Sequence, residues 1–261
     1  MRVVCHNIQY GTGYLRRLAW LGFWAGSRRH YPTLERFYRL AEADVLVLCE
    51  VDNGSYRTGH RSQARALGRA LRMHVACRSK YGRRPLLRRF PVLKSQANAI
   101  LTRERPVAIR YHELGHGFKR LLIEVETPTL QIFAAHLSLG TRARRRQLCD
   151  LYDIISARRK PCILAGDFNF LSGPWEARLL LKALNLESAN RPPLPTFPSW
   201  HPRRELDFVC HSPELRLQRR RLPRVRLSDH LPLVCDFTLS DAPETTQNQG
   251  DNPHGKAQTP A

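Results

Sequence analysis

Apolar residues in this chain occur in short unbroken runs that alternate with segments of helical periodicity. The runs DVLVLCEV at residues 44–51 and PCILAGDFN at 161–169 have no regular polar face, which predicts strands covered on both sides by other layers. Just before the first of these runs, PTLERFYRLAEA at residues 32–43 repeats its apolar positions every three or four residues, which predicts an amphipathic helix with Pro32 in its first turn. Such alternation favours an α/β architecture.

The same two patterns continue to residue 239. Further strands are predicted at 1–8, 97–103, 120–126, 130–138, 205–212 and 232–239, and further helices at 62–73, 142–156 and 174–184. We therefore interpret residues 1–239 as one domain. Residues 240–261 contain no large apolar side chain, so they cannot offset their chain entropy by burial and are predicted to be disordered.

The chain is strongly basic, with a formal net charge of +21 from 43 Lys and Arg against 22 Asp and Glu. Only six of the 43 are Lys, which leaves 37 Arg, the side chain that pairs best with phosphate. This composition favours nucleic acid, an anionic membrane surface or a phosphorylated substrate as partner. The alternative is that the excess is only surface composition.

The cysteines and the apolar runs indicate a cytoplasmic protein. The seven cysteines are scattered and form no CxxC pair, which is typical of a reducing compartment rather than of a disulfide framework. No signal peptide precedes the first strand, and no apolar run approaches the roughly 20 residues of a membrane-spanning helix.

Many of the predicted strands end in, or lie next to, a carboxylate, an amide or an imidazole. These polar residues are Asn7, Glu50, His136, Asp167, Asn169, Asp207, Asp229 and His230. Residues two apart on a strand share a face, so Asp167 and Asn169 can converge on one point while Phe168 turns into the packing. Each residue alone can be an ordinary turn former, but their repetition at strand ends favours a functional site.

Five segments resemble signatures of the endonuclease/exonuclease/phosphatase superfamily and occur in that family's order. They are HNIQYGTG, DVLVLCEV, AAHLS, LAGDFN and LSDHLPLV, and ANAILTR at residues 97–103 resembles a sixth. Cys49 stands where the family usually has Gln. The resemblance covers residues 2–238 and implies a four-layered α/β/β/α sandwich, in which two packed mixed sheets are flanked by helices.

The resemblance also implies a metal centre. Glu50 would hold the ion with help from Asn7 and Asp229, and such hard oxygen donors favour Mg²⁺ or Mn²⁺ over zinc. Gln9 stands where apurinic endonucleases carry an Asp that helps to hold metal, so the expected site holds one metal.

The remaining site residues are expected, by the same resemblance, to act on the phosphate and the attacking water. Asp207 and His230 would form a carboxylate–imidazole pair, and Asp167 would activate or position the water. Asn169 would hydrogen-bond the phosphoryl group, and His136 would contact the same phosphate or act as a second acid. The division of base and acid roles between Asp167 and His230 stays open.

The substrate is not fixed by these motifs. Residues 14–31 place Trp20, Phe23 and Trp24 between pairs of Arg, which fits either an anchor on anionic lipid or a segment packed against the core. Arg-rich runs at residues 81–90, 141–147 and 216–226 fit either a nucleic-acid backbone or a solvated surface.

We therefore expect a monomeric, Mg²⁺-dependent hydrolase of phosphodiester bonds. Its substrate would be either nucleic acid, as for a nuclease, or phospholipid. Peripheral contact with the inner face of the membrane through residues 14–31 is one possibility. The alternative is a catalytically silent basic module that binds nucleic acid or anionic membrane. A silent module would be expected to lose Glu50, Asp167 or His230, and this chain keeps all three.

Overall fold

The computed structural model describes residues 1–13, 30–81, 91–171, 173 and 175–240. Three of the sequence-based predictions therefore lie almost wholly outside the described residues: the lipid anchor at 14–31, the Arg-rich run at 81–90 and the disordered tail at 240–261. Among the described residues, no helix combines the length and apolar composition needed to cross a bilayer.

In the described part of the chain, twelve strands form two sheets of six. The strands are β1 (Arg2–Asn7), β2 (Val45–Asp52), β3 (His74–Ser79), β4 (Gln96–Thr102), β5 (Ala108–Glu113), β6 (Leu121–Glu126), β7 (Gln131–His136), β8 (Cys162–Asp167), β9 (Glu187–Ser188), β10 (Asp207–His211), β11 (Leu215–Arg221) and β12 (Leu233–Leu239). The first sheet has the order β11-β12-β1-β2-β4-β3, and the second has the order β5-β6-β7-β8-β10-β9. Each sheet is mixed, because β1 and β2 run parallel in the first and β7 and β8 run parallel in the second.

Helices cover the outer face of each sheet. The helices of the described residues are α1 (Tyr31–Ala41), α2 (Gln63–Leu71), α3 (Pro91–Ser95), α4 (Thr141–Ser156) and α5 (Trp175–Ala183). The apolar faces of α1 and α2 pack on the first sheet, and those of α4 and α5 pack on the second. The Ser62 side chain accepts a hydrogen bond from the backbone N–H of Arg65 and so caps the start of α2.

The two buried faces of the central strands explain their unbroken apolar runs. Val45 and Val47 of β2 pack in the core between the sheets, whereas Leu46 and Leu48 pack under α1 and α2. Alternate residues of a strand point to opposite faces, so a strand with helices on one side and a sheet on the other needs apolar residues at every position. The four-layered α/β/β/α sandwich expected from the sequence is confirmed.

Every helix and strand predicted from the apolar pattern is present, with ends that differ by a few residues. The pattern missed β3, β5, β9, β11 and α3. Of these, β3, β9, β5 and β11 are the edge strands of the two sheets, where solvent replaces one neighbour and polar residues are tolerated. The Arg-rich run at 216–226, considered as a nucleic-acid contact or a solvated loop, contributes most of β11.

The Arg-rich run at 141–147 includes one residue that fits neither of the two interpretations, a nucleic-acid contact or a solvated surface. Arg144 is fully buried at the start of α4. Its guanidinium pairs with the Glu176 carboxylate at 2.8 Å and donates to the carbonyl oxygens of Ser138 and Leu139 at 3.0 and 2.6 Å. Arg144 is therefore a structural residue that ties α4, α5 and the loop after β7 together.

Candidate active site

The polar strand ends identified in the sequence meet at one edge of the sandwich, between the two sheets. Asn7 and His136 end the strands β1 and β7, and Asp167 ends β8. On the second sheet Asp167 is the register partner of both His136 on β7 and Asp207 on β10. Because the parallel strands end at the same edge, residues far apart in the sequence become neighbours.

Because side chains alternate between the two faces of a strand, Asn7 and Asp167 point toward each other. Val3 and Cys5 of β1 face the inter-sheet core, so Asn7, two residues further on, faces the same space. Ile163 and Ala165 do the same for Asp167 on β8. The Asn7 side-chain nitrogen donates to Asp167 Oδ2 at 3.0 Å and joins the two sheets at the site.

Glu50 reaches this space because β2 contains a bulge. Leu48 and Val51 both pack under the helices. Residues on the same face of a regular strand are two or four positions apart, whereas these two are three positions apart. The pairing with β4 shifts register between these two residues, and Glu50 lies in the left-handed region with φ of 56°. The extra residue turns Glu50 toward the inter-sheet side, where its carboxylate meets Lys80.

Lys80 is the counter-charge of Glu50. Its ammonium lies 3.2 Å from Glu50 Oε1 and donates to the Tyr10 hydroxyl at 2.6 Å, and the side chain is buried. Burial acts to raise the pKa of Glu50, but the charges of Lys80, His136 and Lys119 outweigh it and lower the pKa to about 2. Glu50 is thus held as a carboxylate at every pH at which the protein would be used.

Asp167 is the hub of the site. Its Oδ2 accepts from Asn7 and lies 3.2 Å from His136 Nε2, while its Oδ1 accepts from the backbone N–H of Asn169 at 3.1 Å. Burial opposes ionisation of Asp167, but the charge and hydrogen bond of His136 and the charge of His230 hold its pKa well below the usual range. The carboxylate is therefore ionised and fixed in orientation.

His136 lies next to Asp167, and only 1% of its surface is exposed. Its Nε2 is flanked by Asp167 Oδ2 and the Lys119 ammonium, and burial together with Lys119 lowers its pKa to about 4. The neutral ring can donate to the carboxylate or accept from the ammonium, but it cannot do both. In this arrangement Lys119, more exposed than His136, is the cation closer to solvent.

Asp207 and His230 form the expected carboxylate–imidazole pair. His230 Nδ1 lies 2.6 Å from Asp207 Oδ2, and the Thr196 hydroxyl donates to the same oxygen at 2.6 Å. Burial alone would lower the pKa of His230, but the charge and hydrogen bond of Asp207 raise it to about 10. The ring also packs against Phe197 with centroids 4.9 Å apart, which fixes its plane.

Asn169 and Asp229 complete the set of residues singled out from the sequence. Asn169 is buried with a left-handed φ of 52°, and its side-chain nitrogen donates to the Leu137 carbonyl at 2.9 Å, which leaves one amide hydrogen for another acceptor. Burial raises the pKa of Asp229 to about 6, and its Oδ1 has no hydrogen-bond partner among the described residues.

The donor set fits a hard divalent cation. Glu50 is an ionised carboxylate, and the unpartnered Oδ1 of Asp229 and Oε1 of Gln9 are oxygen donors without a hydrogen-bond partner in the described part of the chain. The ligating atoms of Asp167, Asp207 and His230 also lie within 4.8 Å of one another. Asp207 and His230 are already hydrogen-bonded to each other, so their ligating atoms are partly occupied.

Sequence reasoning missed Lys80, Lys119 and Thr196. Lys80 follows an edge strand, Lys119 lies in the loop before β6, and Thr196 lies in the connection between β9 and β10. None of them belongs to a polar strand end or to a motif named above, so only the three-dimensional arrangement brings them to the site.

Gly166, the residue before Asp167, is required by the packing of β7 against β8. A β-carbon at this position would lie 1.8 Å from the Ala135 carbonyl oxygen, and φ is +146°, which L-residues rarely adopt. We expect Gly166→Ala to lower the free energy of unfolding by about 3 kcal/mol, measured by urea denaturation, because strand backbone must move. Gly140→Ala is the control, since a β-carbon there meets nothing within 4 Å. Equal stability of the two variants would show that the strands tolerate the added methyl group.

Comparison with solved structures supports the fold. A mannosyl-6-phosphatase from Bacteroides thetaiotaomicron VPI-5482 superposes with a TM-score of 0.70 at 14% identity, over 92% of this chain and 100% of that chain. The human nocturnin catalytic domain, solved with a bound sulfate anion, gives 0.67 at 22% identity over 92% and 93%. A 3′ phosphatase from Neisseria bound to a product DNA hairpin gives 0.64 at 15% identity over 91% and 99%.

Sequence comparison agrees with the structural one at the level of the family. No curated protein sequence matches the chain significantly. The profile of the Endonuclease/Exonuclease/phosphatase family matches residues 7–230, a span that begins at Asn7 and ends at His230. The chain therefore belongs to the endonuclease/exonuclease/phosphatase family.

Proposed function

We propose that this protein is a Mg²⁺- or Mn²⁺-dependent hydrolase of phosphodiester bonds. Family membership supports a phosphoesterase-type hydrolase. The observation that carries the finer proposal is the pairing of an ionised, oriented Asp167 with a His230 held by Asp207, beside the carboxylates of Glu50 and Asp229. A nucleophilic water, a phosphoryl group and a cation each find suitable partners in this arrangement.

Glu50 and Asp229 would hold the metal, with the Asn7 side-chain oxygen as a further donor. Asn7 Oδ1 accepts only one hydrogen bond among the described residues, from the backbone N–H of Gln9 at 3.1 Å, so one lone pair remains. When bound, the metal would supply charge neutralisation of a phosphoryl oxygen and of the leaving oxygen.

Asp167 and His230 divide the proton chemistry. Asp167 is ionised and accepts a proton from the attacking water, while the water oxygen bonds to phosphorus and the bond from phosphorus to the leaving oxygen breaks. His230, protonated because Asp207 raises its pKa, donates a hydrogen bond to a phosphoryl oxygen as negative charge develops there. Asp207, which also accepts from the Thr196 hydroxyl, holds the imidazolium through Nδ1–H and so keeps Nε2–H directed away from Asp207.

Lys119 and Asn169 are the supporting groups. The remaining amide hydrogen of Asn169 is available to a phosphoryl oxygen, in keeping with the role expected from the sequence. His136, buried behind Lys119 and Asp167, orients both of them and has little surface of its own to offer a substrate. We therefore propose His136 as a positioning residue.

The alternative of a catalytically silent basic module is less well supported. Buried carboxylates and imidazoles in fixed hydrogen-bonded positions are costly to a fold that only binds an anion. The whole site comes from one chain, so we propose that a monomer is active. All seven cysteines are free, which favours a cytoplasmic location.

The experiment that tests this proposal compares a chromogenic phosphodiester with the corresponding phosphomonoester in the presence of Mg²⁺. We expect kcat/KM to be higher for the diester. A panel of plasmid DNA, RNA and anionic phospholipid then assigns the substrate. Exclusive turnover of the monoester, or of neither compound nor any member of the panel, would contradict the proposal.

A further inference from the structure

Several large apolar side chains on segments next to the site are exposed, and we call Leu139, Leu171, Trp175 and Leu179 the apolar lip. Leu139 is 58% exposed, Leu171 43%, Trp175 49% and Leu179 82%. Soluble domains seldom leave several large apolar side chains exposed close together unless another surface covers them. These residues therefore indicate an interaction surface.

The lip lies against the catalytic strand ends. Leu139 is three residues beyond His136, at the end of β7, and Leu171 is two residues beyond Asn169, with its backbone N–H donating to the Asn169 carbonyl at 2.7 Å. Trp175 and Leu179 are four residues apart on α5 and so share one face of that helix. A surface that met the lip would face the opening of the site.

The lip is held rigid by the buried pair of Arg144 and Glu176. Arg144 reaches Glu176 at 2.8 Å in the first turn of α5, and it donates to the carbonyl oxygen of Leu139 itself at 2.6 Å. Both charged side chains are almost completely buried, so this pair fixes the β7 loop to the helix that carries Trp175 and Leu179. The apolar residues are consequently presented together rather than on independent loops.

The described segments that carry the lip are rich in exposed cations. Arg142, Arg145 and Arg146 are exposed on α4, and Arg178 and Lys182 are exposed on α5. The Arg145 guanidinium lies 5.9 Å from the centroid of the Trp175 ring. In the described parts of 138–146 and 171–182 the one carboxylate is Glu176, which Arg144 already neutralises.

We propose that the apolar lip and its flanking cations dock the protein on an anionic phospholipid surface. Leucine and tryptophan side chains partition into the headgroup region, and each nearby Lys or Arg adds about 1 kcal/mol of attraction to an anionic leaflet. Three of the four lip residues are leucines, which have no ring to stack on a nucleobase, so the surface suits lipid better than single-stranded nucleic acid. Together with the proposed function, on which this consequence rests, docking makes a lipid phosphodiester the substrate presented to the site.

The test uses vesicle sedimentation with the full chain, comparing phosphatidylcholine alone with phosphatidylcholine mixed with phosphatidylglycerol. We expect the parent to bind the anionic vesicles, and the double variant Leu139→Ser/Leu179→Ser to bind them about 10-fold more weakly or worse. Arg142→Glu/Arg145→Glu should bind more weakly than the parent at low salt and lose affinity less steeply as salt rises, because part of the screened attraction is gone. Leu40→Ser is the matched control, because Leu40 is 73% exposed on α1 on the opposite outer layer.

Three outcomes would overturn docking. In the first, the parent does not bind anionic vesicles. In the second, the lip variants bind them as tightly as the parent. In the third, Leu40→Ser weakens vesicle binding as much as the lip variants do. Loss of oligonucleotide binding or of a dimer in the lip variants, with vesicle binding intact, would reassign the surface. Hydrolysis of a small soluble diester is expected to be unchanged in these variants. If the parent hydrolyses neither that compound nor any member of the substrate panel yet binds vesicles through the lip, the proposed function fails while docking stands.

Discussion

Replacing Glu50 by Gln is expected to lower kcat for a phosphodiester about 10³-fold at saturating Mg²⁺. The substitution keeps the size of the side chain but removes the charged oxygen that the bulge in β2 delivers to the site. The apparent affinity for Mg²⁺ should fall as well, because a neutral amide is a weaker ligand than a carboxylate. Steady-state rates over a Mg²⁺ titration measure both effects.

The control for this variant is Glu35→Gln, which removes an equal charge from α1, where Glu35 pairs with Arg39 in a solvent-exposed position. Glu35→Gln should keep the parent rate. Because Glu50→Gln also leaves the buried Lys80 without its counter-charge, the thermal midpoint of the variant is measured alongside the rates. A folded Glu50→Gln protein that turns over substrate like the parent would remove Glu50 from the metal site.

His230→Ala should reduce kcat/KM by about 10³- to 10⁴-fold, and Asp207→Asn should reduce it less. His230 supplies the cationic donor to the phosphoryl group. Asp207 acts only on His230, through the 2.6 Å contact between Asp207 Oδ2 and His230 Nδ1, which raises the pKa of the ring to about 10. Asp207→Asn removes this charge, so the pKa of His230 falls and activity should decline at a lower pH than in the parent.

The pH profile of Asp207→Asn separates a role in positioning and charging His230 from a general effect on the fold. The control is His74→Ala, which changes an exposed imidazole on the edge strand β3 and should leave both rate and profile unchanged. Two results would contradict the assignment: an Asp207→Asn variant more impaired than His230→Ala, or a parent-like pH profile in Asp207→Asn.

The sequence allowed much of the site to be predicted, because strand periodicity is a local rule. Val3 and Cys5 point into the inter-sheet core, and this alone directs Asn7 there, while Ile163 and Ala165 direct Asp167 to the same space. The four layers follow from the same rule, since strands without a polar face must be covered twice.

The rest of the site depends on features that no local pattern carries. Regular alternation would have sent the Glu50 side chain under the helices, and only the bulge against β4 turns it inward. Lys80 and Lys119 reach the site as long side chains from an edge strand and a loop, and neither lies in a family motif named in the sequence. Arg144 had the sequence context of a solvated helix face but is buried, because its partner Glu176 lies 32 residues away on α5.

We expect hydrolysis of a phosphodiester to require a divalent cation bound beside Glu50 and Asp229. The most direct test strips the purified protein with EDTA, removes the chelator and measures turnover of a chromogenic phosphodiester before and after Mg²⁺ is added back. Activity should be lost in EDTA and return with Mg²⁺ in the parent, and it should not return in Glu50→Gln. Full turnover by the parent in excess EDTA would contradict this expectation.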